Sequence, residues 1–119
     1  MKLDEEGKYM QVEHFHYKNK YPDEVVDWNN LLPSCNRCNF YKGTHDTVED
    51  PIIDPCVQTP TDYLYMENYR LKSKNNNSLA NTTIDVLYLN DSNRLVYPRF
   101  IIGEQVHELI QQLSTLFEV

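Results

Sequence analysis

The sequence predicts an α+β fold built as one domain, and three patterns carry that prediction. A Tyr/Val/Phe-rich run, "KYMQVEHF" at residues 8–15, and an apolar "WNNLL" at 28–32 read as two strands with a polar loop between them. A Cys-x-x-Cys turn then runs into "NFYKG", which reads as one or two helical turns ended by Gly43. Apolar residues at three-and-four spacing, through Val106, Leu109, Ile110, Leu113, Leu116 and Phe117, mark the last third as mainly an amphipathic helix.

Taken in order, the first strand alternates imperfectly and ends at His14. Residues 16–27 contain "YPD", a turn signal, and predict a loop. Pro33-Ser34 is expected to stop the second strand. Beyond Gly43, Tyr63 and Tyr65 alternate with Leu64 and Met66 and the chain turns at Glu67-Asn68, so a hairpin is expected, followed by a polar loop over "KSKNNNS". "LANTTIDVLYLN" fits a short helix capped by Asn81 or Thr82, although its β-branched content also permits a strand. Pro98 and Gly103 are expected to interrupt or kink the final helix. This frame sets a core at residues 8–56 and a C-terminal helical extension at 79–119.

At 119 residues and 40% hydrophobic, the chain has material for one modest core. No run approaches the roughly 18 apolar residues of a membrane span, and the N-terminus has no apolar signal region. A soluble, cytoplasmic protein without membrane contact is the expectation. Three cysteines, two of them in Cys35-x-x-Cys38, are an odd set for disulfides and suit a metal better. The net charge of -7 argues against a free-standing nucleic-acid binder. A local basic face remains, with Lys18, Lys20, Arg37 and Lys42 beside His14 and His16, so a DNA or RNA target would need a partner to supply most of the affinity.

The chemistry concentrates between residues 13 and 39. His14, beside a carboxylate at a strand end, can take a proton from water near neutral pH. On an ideal strand Glu13 points to the opposite side, so both reach one site only where the strand ends or bulges. Asn30 and Asn39 suit turns, but an amide oxygen is also a hard neutral ligand for magnesium or a similar ion, alongside Glu13 and waters. Such a set leaves positions open for phosphate oxygens, as metal-assisted phosphodiester hydrolysis requires.

The order "VEHF", "WNNLL", "CNRCNFYKG" resembles the HNH endonucleases, whose ββα-metal motif runs [DE]-H, then N-L, then C-x-x-C-[HN]-x-x-K. Over residues 12–43 it is most similar to the HNH nucleases of bacterial anti-phage systems, the Septu and retron-associated effectors that accompany an ATPase. "IIDP", "TIDVLYLN" and the final helix are similar to the weaker C-terminal pattern of that group. The resemblance implies a single nuclease domain over residues 1–119 with a ββα-metal core, cutting DNA or RNA with an ATPase as partner. By position, it implies that His14 is the general base, that Glu13 and Asn39 hold catalytic Mg2+ or Mn2+, and that Asn30 orients His14 and its loop. Lys18 and Lys42 would stand near the phosphate.

Structural Zn2+ in this group takes four ligands from two Cys pairs. Cys35 and Cys38 supply one pair. Within the chain, Cys56 and His45 are candidates to close the set and Asp54 a weaker one; the alternatives are no zinc, or a second pair preceding Met1. Where the group commonly has Arg-Pro-Lys, this chain has His16-Tyr17-Lys18, and His16 either assists the site or replaces an arginine. His107 is expected on the surface. Opposed to the nuclease is a second expectation, a non-catalytic ββα module whose acidic surface docks on an ATPase or on another copy.

Overall fold

Alternation along the first strand decides the layout. The computed structural model describes residues 9–117, and its elements are β1 (Met10–His14), β2 (Leu31–Cys35), α1 (Asn36–Lys42), β3 (Leu64–Glu67), β4 (Arg70–Ser73), α2 (Ser78–Leu87) and α3 (Tyr97–Phe117). Two antiparallel two-stranded sheets, β1–β2 and β3–β4, and these three helices give the α+β class among the described residues. In the β1–β2 register Met10 lies opposite Cys35 and His14 opposite Leu31. The pleat therefore puts Gln11, Glu13 and Phe15 on one side with Leu32. Phe15, Leu32 and Ile52 are buried there, and Val86 of α2 packs against them.

The second strand differs from its expected form at both ends. Residues Trp28–Asn30 make a 3-10 turn, because Asp27 Oδ1 accepts the Asn29 N–H at 3.0 Å and caps it; Trp28 is left 85% exposed. Pro33 does not stop β2 but sits inside it, opposite Val12. Proline is tolerated there because both strands of a two-stranded sheet are edges. Lys8, the expected start of β1, lies outside the described residues. α1 ends as its sequence predicts: Gly43 takes φ 52°, ψ −124° and donates its N–H to Asn39 O at 3.0 Å.

The hairpin forms β3 and β4, turning through Asn68 and Tyr69, both at positive φ. Lys72 and Ser73, expected in a loop, lie in β4, and Asn90 pairs with its backbone, accepting from Leu71 N at 2.7 Å and donating to Leu71 O at 2.8 Å. α2 is a helix, but its cap is Asn77, whose side chain accepts the Ala80 N–H; Asn81 and Thr82 lie within the helix. It packs on the buried Ile52–Ile53 segment, where Thr83 Oγ1 accepts the Ile53 N–H at 2.8 Å.

Pro98 falls in the first turn of α3, directly after a π-turn at Ser92–Val96, so it opens the helix and does not break it. Gly103 marks a contact. A β-carbon there would collide with the Tyr69 ring at Cε1 and lie 2.6 Å from its hydroxyl oxygen. Tyr69 also meets Phe100 edge-on at 5.6 Å, which holds a bulky residue in the left-handed region. Past this contact α3 extends outward, and the longest dimension is 64 Å, with a radius of gyration of 17.4 Å against about 13–14 Å for a compact domain of this length. Among the described residues no helix is long and apolar enough to cross a membrane.

The Tyr69–Gly103 contact predicts a change of sign. Gly103→Ala should destabilise the protein by about 1–3 kcal/mol in urea denaturation through overpacking. In a Tyr69→Ala background the same change should stabilise by up to about 1 kcal/mol, since alanine is the better helix former.

Candidate active site at the strand–helix junction

α1 lies across the inner face of β1, and residues three apart on it, Asn39 and Lys42, point to the same strand. Lys42 is 5% exposed; its Nζ donates to Glu13 Oε2 at 2.9 Å and to the His14 carbonyl at 2.9 Å, and it lies 5.8 Å from the Phe15 ring centroid. Glu13 is equally buried, at 6%. Lys42, expected beside a phosphate at the surface, is thus committed to an internal ion pair. Its aliphatic stem is buried and its hydrogen bonds are made inside the protein, which is why it leaves water.

One residue on, His14 points to the other side of β1. Its Nε2 lies 3.0 Å from the Val25 carbonyl. A carbonyl can only accept, so Nε2 carries the proton and Nδ1 is left as the basic nitrogen. The loop bearing Val25 is folded by Asn30, which is buried: its Oδ1 accepts the His16 N–H at 2.7 Å and its Nδ2 donates to His16 O and Glu24 O at 3.1 and 3.2 Å. Asn30 therefore positions the loop that holds the imidazole. His16 turns away to Glu24, with Nδ1 3.0 Å from Oε2, and packs on Tyr21. Lys18 is exposed in the same loop. At the loop's base, Lys20 and Tyr21 both donate to Asp46, and the Lys20 bond, ahead of the other contacts, holds the Asp46 carboxyl far below the usual carboxylate range.

Asn39 lines a different surface. Its Nδ2 donates to Gln11 Oε1 at 2.9 Å, and both border an open cleft of about 810 Å³ with Tyr9, Arg37, Phe40 and Gly43. No motif marks Gln11 in the sequence, although its position two residues before Glu13 puts it on the same strand face. The structure brings Gln11, Glu13 and Asn39 to one face of β1 but leaves His14 on the other, about 10 Å along the strand from Gln11. Glu13 faces Lys42 and does not reach the cleft as a free ligand.

The cysteine pair sits where β2 enters α1. Cys35 Sγ accepts the Cys38 N–H at 3.3 Å, and Arg94 Nη1 donates to Cys38 Sγ at 3.3 Å. Burial raises the Cys35 thiol, but the bonds from Cys38 and Arg37 and the Arg94 charge outweigh it and hold the thiol below its ordinary value. Burial and the bond to Cys35 push Cys38 up against Arg94. Arg94 also donates to Leu87 O and Tyr88 O and lies 5.0 Å over the Tyr41 ring, tying the end of α2 to α1. Nothing local in the sequence signals this role, 56 residues from Cys38.

Cys56 is exposed in a separate turn, and His45 Nε2 is bound to Asp50 O at 2.7 Å. Neither is brought to the pair. Among the described residues no three His, Cys, Asp or Glu side chains converge on a point that could hold a metal ion. Among the described residues Cys35 and Cys38 are thus a pair of thiols without two further ligands beside them.

The chain is 53% identical over 117 residues to a Septu protein PtuB of Bacillus thuringiensis. That match takes in 98% of this chain and 45% of the relative, so the chain spans about half the length of the protein it matches. No protein-family model and no solved structure matches the chain.

The uneven thiols predict uneven chemistry. In metal-free protein near neutral pH, iodoacetamide should modify Cys35 faster than Cys38, as followed by peptide mass spectrometry, because the thiolate is the nucleophile. Arg94→Ala should slow both, since its positive charge favours both thiolates.

Proposed function

We propose that the chain is a metal-dependent HNH-type endonuclease that hydrolyses DNA phosphodiester bonds, and that it serves as the nuclease of a Septu anti-phage system together with an ATPase. The observation that carries the reading is the imidazole at the end of β1, oriented through Nε2 by Val25 in a loop folded by Asn30. The order of Glu13, His14, Asn30 and Asn39 and the similarity to a Septu protein PtuB support it.

In this reading His14 Nδ1 takes the proton of the attacking water. The exposed Lys18 and Arg37 meet phosphate as point charge and fork. The neutral amide oxygens at the cleft, Asn39 with Gln11 beside it, are hard ligands of the kind Mg2+ or Mn2+ takes together with waters. Glu13 joins them only by exchanging Lys42 for the cation. A divalent ion bound there would offset charge on the leaving oxygen. RNA is the alternative substrate, since backbone contacts carry no base information.

A second reading, a non-catalytic module that docks on an ATPase, is favoured by two observations. Glu13 is held by Lys42, and His14 and Asn39 face opposite sides of β1. One assay separates the two. Plasmid and single-stranded DNA, with Mg2+ or Mn2+, are incubated with the chain alone and with the ATPase. The nuclease reading expects cutting that chelation abolishes and that His14→Ala lowers by at least about 100-fold. Equal cutting by both proteins would reject His14 as the base, and no cutting by folded protein in any mixture would favour the module.

A further inference from the structure

α3 leaves the body of the molecule with its apolar side uncovered. Its first turn is docked: Arg99 donates to Tyr69 O at 3.0 Å and to Leu89 O at 2.8 Å, and Phe100 meets the Tyr69 ring. Beyond Gly103, by contrast, Val106, Leu109, Ile110, Leu113, Leu116 and Phe117 are 48–80% exposed. An isolated helix of this length is marginal in water, and its stability normally comes from packing an apolar face. Ile102, Val106, Leu109, Leu113 and Leu116 follow alternating steps of four and three, a heptad stripe that Ile110 and Phe117 widen.

The stripe is complementary to itself. A two-fold axis between Leu109 and Ile110 sets Ile102 opposite Phe117, Val106 opposite Leu113 and Leu109 opposite Ile110. Apolar residues then meet apolar residues at these three pairs of positions, while Leu116 falls opposite Gly103, and the pairing is the same from either copy, as an isologous interface requires. Glu104 falls opposite Thr115 and Glu108 opposite Gln111, so no carboxylate meets another. The antiparallel order also opposes the two helix dipoles. Each chain carries a net charge of -7, and this order puts the docked ends of the two helices about 30 Å apart, well beyond the Debye length of about 8 Å at physiological salt. A parallel pair would bring the acidic bodies together.

We infer that α3 is a dimerisation element and that its occupant is the α3 of a second copy, packed antiparallel. The face available amounts to about 1,000 Å² in total, taking about 60–120 Å² for each buried aliphatic side chain, which is the small end of specific interfaces. An interface of this size fits a weak, concentration-dependent dimer.

Sedimentation equilibrium of the full chain, from 1 to 200 µM as test concentrations, should show a monomer–dimer equilibrium. Small-angle scattering of the dimer should show two separated bodies. Leu113→Glu, at a position already exposed in the monomer, should weaken association by at least about 100-fold by burying an unpaired charge, with its helical circular dichroism unchanged. Glu108→Gln should leave association intact. A monomer throughout the concentration range, a dimer that survives Leu113→Glu, or a dimer with its bodies side by side would overturn the inference.

Discussion

A carboxylate and an ammonium, buried together between a strand and a short helix, fix the part of this protein on which its proposed chemistry depends. Glu13 and Lys42 each lose hydration that is worth several kcal/mol per ion. The 2.9 Å contact between them offsets that loss, together with the second bond from Lys42 to the His14 carbonyl. The pair sets α1 in register with β1. With Lys42 at Glu13, Asn39 comes to Gln11 one turn earlier, and the end of β1 is anchored at the residue whose imidazole points the other way.

The same interaction divides the resembled site. It keeps a carboxylate of the HNH pattern inside and leaves amide oxygens to face the cleft. His14 is governed from elsewhere, by a loop whose fold rests on Asn30 and whose base is clamped by Asp46. Two independently supported halves thus meet at a five-residue strand. Their separation gives Lys42 a dual significance: it stabilises the junction, and under the proposed nuclease reading it would compete with a divalent cation for Glu13, the carboxylate that the pattern supplies at this face.

Local patterns made part of this legible in the sequence. Gly43 had the backbone freedom to end α1, and alternation through Met66 with Asn68 behind it marked the hairpin. The spacing of the last third marked its helix. Elsewhere local preference misled: the bulk of Trp28 suggests a strand, but Asp27 caps a 3-10 turn there, and Pro33 survives because a two-stranded sheet has open edges. The cap of α2 lies at Asn77, earlier than expected, because Ser78 and Leu79 accept helical geometry once the Asn77 side chain takes the Ala80 N–H. Lys42 is expected beside a phosphate, and no periodicity reveals a partner 29 positions away. Arg94 is hidden for the same reason: its bond to Cys38 exists only in the folded chain.

The most direct test of the account is a double-mutant cycle between Glu13 and Lys42, measured by urea denaturation with Glu13→Leu and Lys42→Met. The account predicts that each single change costs about 3–5 kcal/mol by stranding a buried charge, and that the double variant recovers most of that loss. Additive effects, or single losses below about 1 kcal/mol, would contradict it, because the two groups would then not be bound to each other inside the folded protein.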